Sequence, residues 1–109
     1  MKLVLAIIHD DDAYDIMDML RDRGYSATKL ASTGGFLRSG NTTLISGVDE
    51  QRVDELIGII ESKGKSRKQV MAVNPPGAGT GEGYVPFPVE VSVGGATIFV
   101  MDVEQFRKV

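Results

Sequence analysis

The 109-residue sequence predicts an α+β protein of the ferredoxin-like class, in which two helices cover one face of an antiparallel sheet. Three observations predict it: an apolar run opens the chain, two amphipathic helical stripes follow, and β-prone runs separate and end them. The resulting order is β-α-β-β-α-loop-β, the split βαβ arrangement. A chain of this length buries one hydrophobic core, so we expect residues 1–109 to form a single domain.

The first half of the chain contains one helix and three strand candidates. The continuous apolar run Leu3–Ile8 indicates a central strand that is buried on both faces. Asp10–Asp12 are N-cap candidates for a helix that Gly24 ends. The apolar stripe of this helix is formed by Ala13, Ile16, Met17 and Leu20. Further strands are expected at about 27–31 and 42–48.

The second half begins with another amphipathic helix. Asp49 is its cap candidate and Gly64 ends it. Its apolar stripe is formed by Val53, Leu56, Ile57 and Ile60. Two such helices cover only one face of the sheet, although Val and Ile occur at both parities of the strands. We therefore expect copies of the chain to bury the second face in a homo-oligomer.

The C-terminal part of the sequence combines strands with a long loop. A short strand is expected at 68–73, and the composition of residues 74–88 predicts a long flexible loop. Residues 89–93 alternate between apolar and polar side chains, and 96–103 form the last strand candidate. Gly94-Gly95 is expected to form the turn or bulge between them.

Composition and charge exclude several classes of protein. A net charge of −3 and a pI near 5.0 argue against a protein that coats DNA or RNA, which needs a basic face. The sequence has no cysteine, which excludes disulfides and thiolate sites. No apolar run approaches the roughly 20 residues that span a bilayer, and the first one is too short for a signal peptide. We therefore expect a cytoplasmic protein without membrane insertion.

Two segments carry cations but no acidic residue. One is 27–48, which contains Lys29 and Arg38, and the other lies between Glu61 and Glu82. The cations of the second segment are Lys63, Lys65, Arg67 and Lys68. Such segments fit either a local site for a small anion or ordinary solvated surface charge.

Two motifs that resemble nucleotide or metal sites have simpler explanations. The glycines of Gly77–Gly83 precede a segment that cannot begin a helix, which excludes Rossmann and P-loop sites and favours a mobile flap. His9–Asp12 has metal-ligand chemistry, but helix capping explains its aspartates, so we expect no metal. The sequence also offers no convincing acid–base pair. We therefore expect no catalytic residues, no cofactor and no enzymatic activity.

The stretch Thr28–Val48 contains a loop, at about 33–41, that is longer than a hairpin turn requires. Its glycines allow backbone N–H groups to approach anionic oxygens, and its hydroxyl and amide side chains suit phosphates and base edges. Phe36 and Leu37 have no obvious core to enter. They either cover the face of a purine or tuck back onto the protein or a neighbouring subunit.

Three sequence blocks carry a resemblance that extends along essentially the whole chain. They are "MKLVLAIIHD", "TKLASTGGFLRSGNTTLISGV" and "YVPFPVEVSVGGATIFVMDVEQF". In these blocks the chain resembles the PII-like cyclic di-AMP receptor family (PstA/DarA type), which is related to the nitrogen regulatory PII proteins. The resemblance implies a non-enzymatic homotrimer that binds its ligand in clefts between subunits. It also implies that ordering of the loops signals to a partner protein, which the sequence does not identify.

The same resemblance implies eight ligand-binding positions. Thr28 is expected to bind a phosphate, with the Ala27 backbone beside it. The positions expected around the bases are Gly35, Phe36, Leu37, Asn41, Gly47 and Phe99. Among these, Phe99 is expected to line the wall that the neighbouring subunit provides.

Three positions depart from the family pattern, which usually has Asn, Arg and Gln where this chain has Gly24, Ser26 and Lys108. Loss of the arginine removes a charge-assisted contact of about 1.5–3 kcal/mol, which weakens binding roughly tenfold to a hundredfold. The leading hypothesis is a signal-transduction receptor for cyclic di-AMP. The alternative is a PII-like interaction module that has lost this ligand and binds another nucleotide or only a protein.

Overall fold

A computed structural model describes residues 1–30, 40–73 and 87–109, for which the following elements are defined. A short 3-10 turn, Glu50–Arg52, precedes the second helix. The helices are α1 (Asp10–Asp22) and α2 (Val53–Gly64). The strands are β1 (Lys2–His9), β2 (Thr28–Leu30), β3 (Asn41–Val48), β4 (Arg67–Val73), β5 (Phe87–Val93) and β6 (Ala96–Asp102).

The main sheet has the strand order β2-β3-β1-β6, and all neighbouring strands are antiparallel. The connection through α1 takes the chain from β1 past β3 to β2, and the connection through α2 takes it from β3 past β1 to β6. This is the ferredoxin-like arrangement, so the predicted fold class is confirmed. At the end of the β1–β6 pair, Lys2 donates a hydrogen bond to Asp102, which lowers the pKa of Asp102.

The core lies between the main sheet and the two helices. Alternate residues of β1, namely Val4, Ala6 and Ile8, are at most 1% exposed. The helical side chains packed against them are Ala13, Ile16, Leu20, Leu56, Ile59 and Ile60. The stripe predicted for α2 was wrong at one position, because Ile59 is buried where Ile57 was expected. Both flank the Leu56–Ile60 face, so the apolar pattern alone does not distinguish them.

The other residues of β1 show that its predicted burial on both faces does not hold within a single chain. β1 is central, as expected, but Leu3, Leu5 and Ile7 are only half-buried. Because side chains alternate along a strand, these three point away from the helices. The residues 1–30, 40–73 and 87–109 thus leave the second face of the sheet open.

The ends of α1 show how the chain enters and leaves a helix. His9, rather than one of the aspartates, is the N-cap residue, and its Nδ1 accepts a hydrogen bond from the Asp11 backbone at 3.2 Å. Asp10, Asp11 and Asp12 occupy the first turn, where negative charge suits the helix dipole. Gly24 follows the C-cap with φ of +84°, as the predicted helix end requires.

β4 and β5 form a hairpin that the sequence did not predict as a pair. Their register runs from Arg67 opposite Val93 to Val73 opposite Phe87. The two strands are 13 residues apart in sequence, so no short turn motif indicates that they pair. β5 also begins at Phe87, inside the loop predicted at about 74–88, and β3 begins at Asn41, inside the one predicted at about 33–41.

An ion pair attaches this hairpin to the core. The Arg67 guanidinium lies 2.9 Å and 3.3 Å from the two carboxylate oxygens of Asp12, which is 2% exposed. The hydrogen bonds to Asp12 raise the pKa of Arg67 above its ordinary value. Gly94, with φ of +74°, begins the turn into β6, and a side chain there would lie 2.5 Å from the guanidinium. The predicted Gly94-Gly95 turn is confirmed.

The glycines of α2 provide a test of helix stability. Gly58 is exposed, and a Cβ added there meets nothing within 4 Å. We expect Gly58→Ala to raise the free energy of unfolding by about 1 kcal/mol, because alanine is the better helix former. Urea denaturation followed by circular dichroism measures this change.

Gly64→Ala is the matched control within the same helix. Its Cβ would lie 3.1 Å from Cδ1 of the fully buried Ile16, so we expect a smaller gain or a loss. Equal effects of the two substitutions, or destabilisation by Gly58→Ala alone, would contradict this description of the two helix faces.

Candidate functional site

The open face of the main sheet is largely apolar. Its β1 residues are Leu3, Leu5 and Ile7, which lie directly opposite Met101, Phe99 and Thr97 of β6. Residues directly opposite one another in an antiparallel pair share a face. Phe99 is 51% exposed and Met101 is 42% exposed. The side chains that point away from the helices therefore expose large apolar surfaces.

Strand register places two of the predicted ligand-binding residues on this face but at opposite edges. Thr28 lies opposite Ile45, Ile45 lies opposite Leu5, and Leu5 lies opposite Phe99. The four residues form one row across the sheet. With strands about 4.8 Å apart, Thr28 and Phe99 of one chain are separated by about 14 Å.

Asn41 and Gly47 also lie on the open face, near opposite ends of β3. Asn41 pairs with His9, and Gly47 pairs with Leu3. The six residue steps between them correspond to about 20 Å along the strand. Gly47 is two residues beyond the partner of Thr28 and is therefore close to it. One chain brings Thr28 and Gly47 together and holds Asn41 and Phe99 apart from them.

The remaining predicted site residues are placed differently. Ala27 immediately precedes β2 and is half-buried, packed against the core cluster. Its neighbour Thr28 is exposed. Gly35, Phe36 and Leu37 lie outside the described residues.

A concavity of about 290 Å³ lies beside Thr28, at the end of α1. It is lined by Met17, Arg21, Tyr25, Ser26, Ala27 and Thr28. The Arg21 side chain is 73% exposed, and its Nη1 donates to Asp18 at 3.1 Å. Nothing in the sequence singles out Arg21, because it lies on the polar side of a helical stripe, where cations are common.

A second concavity of about 210 Å³ lies on the other side of Tyr25 and Ser26. Its lining includes Gly24, Gly47, Asp49 and Arg52. The Arg52 guanidinium stacks on the Tyr25 ring, with Cζ 4.1 Å from the ring centroid.

Arg52 is held in this position from both sides. Its Nη2 donates to the Arg23 carbonyl at 3.1 Å, and the Tyr25 hydroxyl donates to the Arg52 carbonyl at 3.3 Å. A guanidinium that is stacked and hydrogen-bonded in this way serves as a fixed wall of the concavity.

Comparison with known proteins identifies relatives of this chain. The cyclic-di-AMP receptor family model matches residues 1–109. The chain belongs to the cyclic-di-AMP receptor family. It is also related to PII proteins, since it is 37% identical over 75 residues to nitrogen fixation nifHD region GlnB-like protein 1 of Methanothermococcus thermolithotrophicus. That match covers 57% of this chain and 71% of the relative.

A solved structure resembles this member of the cyclic-di-AMP receptor family over nearly its whole length. It is a protein of unknown function from Pediococcus pentosaceus ATCC 25745, with a TM-score of 0.78 and 42% sequence identity. The match covers 99% of this chain and 96% of that structure. Neither of the helices in the described ranges is long and apolar enough to cross a membrane.

Two aspartates of the cluster Asp10–Asp12 form contacts with other elements of the fold. The Asp10 carboxylate accepts a hydrogen bond from the Thr42 hydroxyl, and Asp12 binds Arg67. Among residues 1–30, 40–73 and 87–109, no three His, Cys, Asp or Glu side chains are grouped so that they could hold a metal ion. The predicted capping of the helix by these aspartates is therefore wrong. Asp10 instead contacts β3, and Asp12 contacts β4.

Three of the cations between Glu61 and Glu82 also form ion pairs. Lys63 lies 3.4 Å from Asp15, and Lys68 lies 3.2 Å from Glu90. Because Arg67 pairs with Asp12, these contacts favour the structural interpretation of this segment over recruitment of an anion.

The open face predicts self-association, and neighbouring residues of β6 allow a matched test. Met101 points to the open face and is 42% exposed, whereas Val100 points to the helix side and is 43% exposed. We expect Met101→Glu to move the measured mass towards the 11.7 kDa of one chain, because it places a charge on an apolar interface. Sedimentation velocity measures this mass.

Val100→Glu is the control and should keep the mass of the unmodified protein. An unmodified protein that sediments at 11.7 kDa, or a loss of mass with Val100→Glu alone, would contradict burial of the open face between copies.

Proposed function

We propose that this protein is a non-enzymatic signal-transduction receptor that binds cyclic di-AMP between the subunits of a homotrimer. Membership of the cyclic-di-AMP receptor family supports the choice of ligand. The ligand itself carries two anionic phosphates and two purine faces. Thr28 and Phe99 would supply one hydroxyl and one aromatic surface for these groups.

The observation that carries the subunit-interface part of the proposal is the separation of Thr28 and Phe99. They lie on one face but at the two edges of the sheet, β2 and β6, about 14 Å apart. When copies associate through this face, the β2 edge of one chain can meet the β6 edge of the next. A site between copies would then contain both residues within reach of one ligand.

The local chemistry supports binding rather than catalysis. Asp10 and Asp12, the nearest candidates for catalytic carboxylates, are engaged by Thr42 and Arg67. The concavity beside Thr28 has a guanidinium and a hydroxyl in its lining. Such groups bind anionic oxygens without providing an acid–base pair.

Isothermal titration calorimetry with cyclic di-AMP, ATP and cyclic di-GMP tests the proposal. We expect heat with cyclic di-AMP and a weaker or absent response to the other two nucleotides. Absence of heat with cyclic di-AMP at about 100 µM would overturn the receptor function. That result would instead favour the interaction module that binds another nucleotide or only a protein.

Two exposed phenylalanines provide a matched pair for the ligand-binding face. Phe99 is 51% exposed on β6, and Phe106 is 64% exposed beyond the end of that strand. We expect Phe99→Leu to weaken cyclic di-AMP binding roughly 5-fold to 100-fold, because base stacking contributes about 1–3 kcal/mol. Phe106→Leu should leave the calorimetric Kd unchanged. Equal Kd values for both variants would remove Phe99 from the site.

A further inference from the structure

The end of α1 places a guanidinium in the same concavity as a proposed phosphate-binding residue. Arg21 and Thr28 both line the hollow of about 290 Å³. Tyr25, Ser26 and Ala27, which lie between them in sequence, also line it. Among the described residues of that lining, Arg21 is the sole cation, and none of them is a carboxylate. An anionic oxygen entering beside Thr28 would therefore meet a positive charge at the wall of the hollow.

The contacts of Arg21 leave most of its guanidinium available. Its hydrogen bond to Asp18 is made by Nη1 between residues one helical turn apart, and its side chain is 73% exposed. Exposed pairs of this kind are weak and readily exchanged. In contrast, Arg52 is fixed by the Tyr25 ring and the Arg23 carbonyl. Arg21 is therefore the better placed of the two to turn towards a ligand.

The sequence of the loop after α1 explains why a cation from the helix can reach this hollow. Gly24 and Ser26 carry no long side chain, and the Ser26 carbonyl accepts a hydrogen bond from the Ser46 hydroxyl at 2.7 Å. This bond fixes the backbone beside the hollow to β3. Of these two small residues, Ser26 lines the same hollow as Arg21, and Gly24 lines the neighbouring concavity.

We propose that Arg21 is a phosphate-binding and affinity-determining residue of the cyclic di-AMP site, in which its guanidinium binds the phosphate oxygens beside Thr28. This inference rests on the proposed receptor function. A hollow of about 290 Å³ is at the small end of ligand-binding cavities, so it suits one phosphate with its sugar rather than the whole dinucleotide. The planar fork of arginine permits two parallel hydrogen bonds to one phosphate.

Arg21→Gln tests this role by calorimetry with cyclic di-AMP. We expect the Kd to rise about 10-fold to 100-fold, because a charge-assisted contact is lost. The Kd of Arg21→Lys should lie between those of the unmodified protein and Arg21→Gln, since lysine keeps the charge but lacks the planar fork of arginine. Ser26→Arg, added to Arg21→Gln, should restore at least part of the affinity by returning a guanidinium to the same hollow.

Arg23→Gln is the control, because it makes the same change of charge two residues away, outside the lining of the hollow. We expect its Kd to equal that of the unmodified protein. If the unmodified protein binds and Arg21→Gln binds equally well, or if Arg23→Gln weakens binding as much, the role of Arg21 is overturned while the receptor function stands. If the unmodified protein gives no heat, both proposals are overturned.

Discussion

The alternation of side chains along β1 is the constraint on which the rest of the structure depends. β1 lies between β3 and β6, so its even-numbered residues must pack under the helices and its odd-numbered residues must form the opposite face. A shift of one residue in register would exchange the two faces. The same register aligns Thr28 and Phe99 in one row, so burial of Val4 and Ile8 also fixes where the candidate site lies.

The sequence was sufficient to predict the parts of the fold that depend on periodicity and on glycine. The two helices, the β1 strand and the turns at Gly24 and Gly94 all follow from short-range patterns. The β4–β5 hairpin does not, because pairing across a separation of 13 residues has no local signature. Likewise, local sequence did not predict that His9 is the N-cap residue, or that Asp10 and Asp12 contact Thr42 and Arg67 on distant strands.

The residues of the candidate site likewise include some that the sequence predicted and one that it did not. Thr28, Gly47 and Phe99 were found through a family resemblance, and the strand register then showed that they share a face. Neither the family resemblance nor the strand register indicated Arg21, since an arginine on the polar side of a helix is common on protein surfaces. Only the packing of the chain around Tyr25, which brings the last turn of α1 beside the start of β2, reveals its neighbourhood.

The separation of β4 and β5 from the main sheet has a consequence for how such proteins diversify. The hairpin is joined to the core at its base, through Arg67 and Asp12, and within the described part of the chain β4 and β5 pair only with each other. Lengthening or shortening the segment between its strands therefore adds little loop-closure cost and leaves the ferredoxin-like core intact. The length and sequence of that segment can therefore vary, and with them the surface presented at this position, while the packing of the two helices on the main sheet stays the same.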